Sequence, residues 1–355
     1  MMLDFDTLVY EPPPWLDCNA PDSDVVLSSR VRLARNIRNV PFPNRAQPEV
    51  LEEVLNEVES TYSGIEFLKE AVFFDMGQLS NAEQLILAER RVISPEFVGK
   101  AIPEGLILED SGRFSIMINE EDHLRLQALD SGFQPDRLWS VAEQIDRQLS
   151  TVIDYAFSDE FGFLTACPTN TGTGLRVSLF VQLPALSITE RLESVLKKKP
   201  PSGLVIRGFY GEGSDVVGDI YQISNQFTLG WTEWRILEDI EEVAREIIKQ
   251  ERMARREIIE NDRVHLENRV FRAVGVIERA RIISSLEFIE LFASLKLGIL
   301  TGLLPEMDHQ MVNDLLVLSQ PTHIQRMAGR PLTPLERDIF RADFIRKNLI
   351  HGKSI

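Results

Sequence analysis

RVSLFVQLP, residues 176–184, sets Val177, Leu179, Val181 and Leu183 at alternate positions against polar or larger residues. Successive side chains of a strand point to opposite faces, so this spacing predicts a sheet with one face covered by a core. AVFFD (71–75), GLIL (105–108) and FSIMI (114–118) read as further short buried strands, and VVLSSRVRLARNI (25–37) begins as a β-branched run. EVLEEVLNEVESTY (49–62) instead carries Val50, Leu51, Val54, Leu55 and Val58 at helical spacing on an acidic background. Strands and helices in this mixture predict an α+β fold.

From about residue 235 the texture changes. ILEDIEEVAREIIKQERMARREIIEND holds Leu237, Ile240, Ala244 and Ile247 on one stripe, with opposite charges about a turn apart elsewhere. Strand signals then nearly vanish. Residues 301–329 predict a helix bounded by prolines and a capped helix beginning near Thr322, and LTPLERDIFRADFIRKNL (332–349) predicts a helix started by Pro334. The division falls at 256, giving an α+β part over 1–256 and a helical part over 257–355. KKKPPSG (197–203) is a basic turn-rich loop, and no internal repeat occurs.

The 355 residues suffice to bury a sizeable core, and 44% hydrophobic with 26% charged content is ordinary for a globular protein. A net charge of −17 argues against gripping nucleic acid, which needs a basic face. Two cysteines, Cys18 and Cys167, give no disulfide framework. MMLDFDTLVY lacks the basic and apolar regions of a signal peptide, and no apolar run reaches a membrane span. A cytoplasmic protein without nucleic-acid or membrane partners is the expectation.

Against that acidic background several arginines sit beside glycines, hydroxyls and acids. Arg30 and Arg32 are two apart, hence on one side of a strand, and Arg35 and Arg38 continue the run. Arg125 follows INEEDH, Arg176 follows Gly-Thr-Gly, and Arg207 opens RGFYGEGSD. Arginine forks suit phosphate oxygens, although no GxxxxGK[ST] loop is present and TNTGTG alone is a short glycine signal. The cluster Glu120-Glu121-Asp122-His123 is open to three readings: metal ligand, base or solvated turn. Zinc fares worst, since successive residues of an extended chain point apart and no second His or Cys pair stands at ligand spacing.

SSRVRLARN, INEEDHLR, CPTNTGTGLR and RGFYGEGSD…ISNQFTLGWTE, in this order over roughly residues 25–235, resemble the catalytic domain of the phosphagen kinases. The early first motif leaves no room for that family's N-terminal helical domain, and the helical tail is similar to the bacterial protein-arginine kinase branch. The resemblance implies a largely antiparallel sheet flanked by helices, followed by an all-α domain. It implies that Ser29, Arg30, Arg32, Arg125, Arg176 and Arg207 hold ATP with its Mg2+, that Glu121 and Glu212 face the acceptor guanidinium, and that Cys167 lies near the substrate. Where small-molecule enzymes read GEHTE, this chain has GEGSD (211–215), so the role of that histidine has no counterpart here.

For the tail, the resemblance implies a phosphoarginine pocket in which Arg337 meets phosphate, Asp338 the guanidinium, and Arg341 supports both. By charge pattern alone that face is a solvated helix surface. The implied activity is ATP-dependent phosphorylation of protein arginines, with a heat-shock repressor and damaged proteins as substrates, an activator protein, hand-over to Clp proteolysis, and a homodimer. The rivals are a small-molecule guanidino kinase and an inactive phosphoarginine-binding adaptor.

Overall fold

The computed structural model describes residues 4–197, 203–208 and 217–350. Its strands are β1 (Val26–Arg35), β2 (Val72–Asp75), β3 (Gly105–Leu108), β4 (Phe114–Ile118), β5 (Leu124–Ser131), β6 (Phe157–Ser158), β7 (Gly162–Phe163), β8 (Leu175–Gln182), β9 (Leu204–Gly208) and β10 (Ile220–Asn225). Eight of them form one sheet in the order β2-β3-β4-β5-β1-β8-β10-β9, and β6 with β7 forms a separate hairpin. Every pairing in the large sheet is antiparallel.

The alternation in β8 decides which face meets the core. Val31, Leu33, Val177, Leu179, Val181, Leu124, Leu126 and Ile223 lie in one apolar cluster with side chains of the helices Pro48–Tyr62, Pro135–Leu149 and Glu233–Asn261. Truncating a fully buried leucine such as Leu179 to alanine costs about 2–5 kcal/mol. A register slip of one residue would also turn neighbouring arginines into that core, so the pairing is strongly specified.

The second face changes character along its length. Leu27, Leu129, Phe180 and Ile220 join a separate cluster with Phe288, Phe292, Val312 and Leu316 of the helices Ser285–Leu300 and His309–Leu318. The helical part therefore roofs one end of the face, and the arginines occupy what remains.

The helix Glu233–Asn261 runs unbroken through residue 256, and the chain turns at Asp262 into the helix Arg263–Arg279. Arg252 and Arg255 of the long helix bind Asp24 in the segment before β1, which ties the helix to the sheet. The helix expected near Thr322 is Pro321–Met327, and its cap is not local: Gln320 supplies no side-chain bond. The last described helix is Pro334–Ile350. Among the described residues no helix is long and apolar enough to cross a membrane.

Candidate active site

Register places the arginines on one face without appeal to side-chain detail. Residues directly opposite in an antiparallel pair point the same way. Arg32 faces Arg176 across β1 and β8, Ala34 faces Arg125 across β1 and β5, and Gln222 faces Arg207 across β10 and β9. Since Ser28, Arg30 and Arg32 alternate with the core residues, and Gln222 faces Phe180, all five arginines share the face opposite the core.

Arg30 and Arg32 keep only part of their surface exposed, and the Nε of each is buried without a hydrogen-bond partner. Burial first, then the charges of nearby arginines, pushes both guanidinium pKa values well below the usual value. Like charges held together at such cost form a site prepared for a polyanion. Arg176 donates from Nη2 to Ser224 Oγ at 3.2 Å.

Arg35 and Arg38, from the same basic run, go elsewhere. Arg35 alternates onto the core side, where it forks onto Asp146 at 2.7 and 3.0 Å and stacks on Phe163 at 3.6 Å. Arg38 pairs with exposed Asp154 at 3.0 Å. The Ser29 side chain, from the same motif, takes the other face of β1. It lies between Ser28 and Arg30 and so points away from the arginine face, donating to the Gly132 carbonyl at 2.7 Å and accepting the Gln134 N–H at 3.0 Å. Its hydroxyl is spent at the entry to the helix Pro135–Leu149.

The acidic cluster is the loop of the β4–β5 hairpin, closed by Asn119 N–H on the His123 carbonyl at 3.0 Å. Asn119 adopts φ 62°, and its amide donates to the carbonyls of Leu51 and Pro103, both at 2.9 Å. Within the loop the four residues divide. Glu120, Asp122 and His123 are buried and only Glu121 is exposed.

Glu120 accepts from Ser94 Oγ at 2.7 Å, Arg125 Nη1 at 2.6 Å and the Glu121 N–H at 2.9 Å. Burial would raise its pKa, but the Arg125 charge and these bonds prevail and hold it at about 2. Asp122 accepts from Asn36 at 2.6 Å and the Ala166 N–H at 2.7 Å, and burial nevertheless lifts its pKa to about 6. His123 takes the Ile37 N–H on Nδ1 at 3.1 Å, so Nε2 carries the proton toward the Pro41 carbonyl at 3.1 Å. Burial lowers its pKa to about 4, so the ring is neutral near pH 7 and its role is to fasten the loop to the end of β1.

Glu121 meets the amide of Asn170, which lies 3.3 Å from its Oε2. Asn170 belongs to the turn after Cys167, whose thiol lies 3.0 Å from Thr169 Oγ1. This turn is clamped from behind, where Thr228 Oγ1 donates to the carbonyls of Thr169 and Thr171. Gly172 has φ 116°, and a Cβ there would stand 2.6 Å from the Thr228 carbonyl oxygen. The glycine at 172 thus serves close backbone approach, and the turn brings Asn170 beside Glu121. Glu212 lies outside the described residues, as does most of the basic stretch around 198–202.

Sequence reasoning missed Arg91. Its guanidinium lies 3.7 Å from the Phe180 ring centre and 5.3 Å from that of Trp15, and its charge weighs on Arg30. The available signal was an arginine one residue beyond the helix C-cap, where glycine is favoured.

In the tail, Arg341 is buried. It donates from Nε to the Ser319 carbonyl at 2.7 Å and from Nη1 to the Ile283 carbonyl at 2.9 Å, and it pairs with Asp338. Asp338 keeps part of its surface, and Arg337 is half-exposed with one long bond to the Leu332 carbonyl at 3.4 Å.

No group of three or more His, Cys, Asp or Glu side chains fit to hold a metal occurs among the described residues. The arginine face fits the phosphates of a nucleotide.

Comparison with known proteins places the whole chain in a family. Residues 53–254 match the family model of the ATP:guanido phosphotransferase C-terminal catalytic domain, and 263–354 match that of the protein-arginine kinase McsB C-terminal domain. A protein-arginine kinase of Halothermothrix orenii is 43% identical over 335 residues, covering 94% of this chain and 96% of its own. Those of Pelotomaculum thermopropionicum and Bacillus subtilis are 41% and 40% identical over 94% of this chain, with 94% and 93% of their own lengths covered. Among solved structures, the substrate-free taurocyamine kinase of Schistosoma mansoni superposes with TM-score 0.57 at 24% identity, over 69% of this chain and 36% of that one. A lombricine kinase gives 0.55 at 24%, over 68% and 71%. At that identity the likeness concerns the fold.

Proposed function

The chain belongs to the protein-arginine kinase family of guanidino phosphotransferases, and from that premise we propose how its residues divide the reaction. The substrate is an arginine side chain of a protein, and the phosphoryl donor is ATP with Mg2+. Arg30, Arg32, Arg125, Arg176 and Arg207 hold the phosphates, while Glu121 and Glu212 grip the guanidinium, with Cys167 and Asn170 beside it. The observation that carries this reading is the hairpin loop: one buried carboxylate, Glu120, binds Arg125 of the phosphate set and the backbone of Glu121.

Chemistry limits what the glutamates do. A guanidinium has a pKa of about 12.5–13.8 against about 4.3 for glutamate, so full deprotonation before attack would cost roughly 11–13 kcal/mol. A turnover of about 10 per second allows a total barrier of only about 16 kcal/mol. Glu121 and Glu212 therefore orient the guanidino nitrogen for in-line attack and accept its proton as the N–P bond forms and the bond from Pγ to the ADP oxygen breaks. The arginines balance charge on the transferring phosphoryl group.

Residues 1–256 form the catalytic part in this reading. Residues 257–355 read phosphoarginine through Arg337 and Asp338, with Arg341 behind them. The family resemblance further supports a heat-shock repressor and damaged proteins as substrates, an activator protein, delivery to Clp proteolysis, cytoplasmic location and a homodimer.

The test incubates the protein with Mg-ATP and either free arginine or an unfolded protein, and looks for acid-labile phosphate on arginine. Label on protein alone, lost in Glu121→Gln, is the expected result. Label on free arginine makes the chain a small-molecule kinase, and no label leaves a binding adaptor.

A further inference from the structure

The turn ending the helix Asn81–Glu89 carries two residues that do not serve their own helix. Glu89 closes it, setting a carboxylate at the negative end of the helix dipole. Arg91 stands just past the C-cap at φ 62°, while its N–H bonds the Ala88 carbonyl and the Val92 N–H the Leu87 carbonyl, both at 2.9 Å. A side chain with a Cβ is disfavoured in that conformation, and glycine is the usual choice.

Both misfits are answered by distant partners. Glu89 Oε1 accepts the Thr322 N–H at 2.8 Å, and Oε2 accepts the His323 N–H at 3.2 Å and the His323 ring Nδ1–H at 2.7 Å. These residues open the helix Pro321–Met327, so Glu89 supplies the acceptor that Gln320 does not. His323 is fully buried, and its only hydrogen-bonding ring nitrogen is the one on Glu89. Beyond the turn, Trp15 Nε1 donates to the Arg90 carbonyl at 3.0 Å and Gln127 Nε2 to the Arg91 carbonyl at 2.8 Å. The turn is thus fixed on both sides, and the Arg91 guanidinium reaches the arginine face over Phe180. On the other side, Arg341 holds the Ser319 carbonyl, two residues before Pro321.

We propose that Glu89 is a positioning residue that couples the helical part to the phosphate cradle. By gripping the first turn of Pro321–Met327 it sets the place of Arg90 and Arg91, and through Arg91 the cationic edge of the nucleotide site. Its regulatory side rests on the reading of Arg337, Asp338 and Arg341 as a phosphoarginine pocket: a ligand that draws Asp338 away from Arg341 shifts the Ser319 carbonyl and with it the helix that Glu89 holds.

The experiment measures KM for ATP, kcat, thermal midpoint and stimulation by free phosphoarginine in Glu89→Ala, Glu89→Gln, Arg91→Ala and Glu89→Ala/Arg91→Ala. Glu89→Ala should raise KM for ATP about five- to tenfold, the scale of one charge-assisted contact, with kcat within about twofold and stimulation lost. The double variant should be no worse than Arg91→Ala, because Glu89 acts through Arg91. If Glu89→Ala melts without a cooperative transition, Glu89→Gln, which keeps the shape, carries the same comparison. An unchanged KM for ATP, or effects of the two substitutions that multiply, overturns the proposal. A wild-type protein that ignores phosphoarginine refutes the pocket reading alone, while the KM values and the double variant still decide Glu89.

Discussion

Glu120 and Arg125 share a hydrogen bond of 2.6 Å, and the same Glu120 oxygen accepts the Glu121 N–H at 2.9 Å. The proposed phosphate-binding Arg125 and the proposed guanidine-binding Glu121 are thereby joined through one atom. Glu120→Gln keeps the shape but loses the charge that aligns Arg125, so kcat/KM should fall on the order of 10- to 100-fold. The pH signature is separate. With its pKa at about 2 in the fold against 4.5 ordinarily, this group stabilises the folded state above about pH 4.5 and loses that contribution as pH falls toward 2. The difference corresponds to about 3 kcal/mol, and urea titrations across that range should show a flatter acid limb in the variant.

Asp122 should behave oppositely. Burial raises its pKa from 3.8 to about 6, so the folded state binds a proton that the unfolded chain has released. Stability from this group therefore falls as pH rises from about 4 to 6. Asp122→Asn keeps an oxygen for Asn36 and Ala166, and the difference in unfolding free energy between variant and wild type should grow in the variant's favour across that window. A constant difference from pH 4 to 7 would refute the assignment.

The arginine face stores repulsion that a polyanion relieves. Arg32→Met removes one half-buried like charge, so the nucleotide-free protein should gain about 1–3 kcal/mol, read as a higher thermal midpoint. The same variant should lose most of the midpoint rise that Mg-ATP gives the wild type. A variant less stable than wild type, with the ATP-induced rise intact, would show that Arg32 is structural.

Ser29 offers a control. Its hydroxyl bonds Gly132 and Gln134 on the side away from the arginines. Ser29→Ala should cost about 1 kcal/mol of stability and leave KM for ATP unchanged.

Much of this was legible in the chain, for identifiable reasons. The alternation of Val177, Leu179 and Val181 shows which side of β8 is buried, and the same period carries Arg176 to the other side. That period, applied to β1, also separates Ser29 from Arg30, two residues that the family motif carries as one block. In the loop 119–123 the resemblance singles out Glu121, but the individual roles of Glu120, Asp122 and His123 were not readable, because they depend on distant partners: Ser94, Asn36, Ala166 and Pro41. Arg91 and Glu89 were invisible for the same reason. Local propensity describes a helix end, and these two residues contradict it in favour of contacts more than 80 residues away, with Phe180 and His323.

The tail motif contains two arginines with different expected fates. Arg341 is buried and satisfies the carbonyls of Ser319 and Ile283, which close two helix junctions around it. Arg341→Ala leaves both carbonyls and Asp338 without that partner, so the helical part should lose about 3–5 kcal/mol, seen as an early unfolding step. Arg337 has a single long protein contact, and Arg337→Ala should change stability by less than about 0.5 kcal/mol. If the pocket reads phosphoarginine, Arg337→Ala should nevertheless reduce its affinity at least about tenfold by calorimetry, the worth of one phosphate-binding fork. Arg337→Ala with unchanged phosphoarginine affinity would return this face to a solvated helix surface, which is what its charge pattern alone suggests.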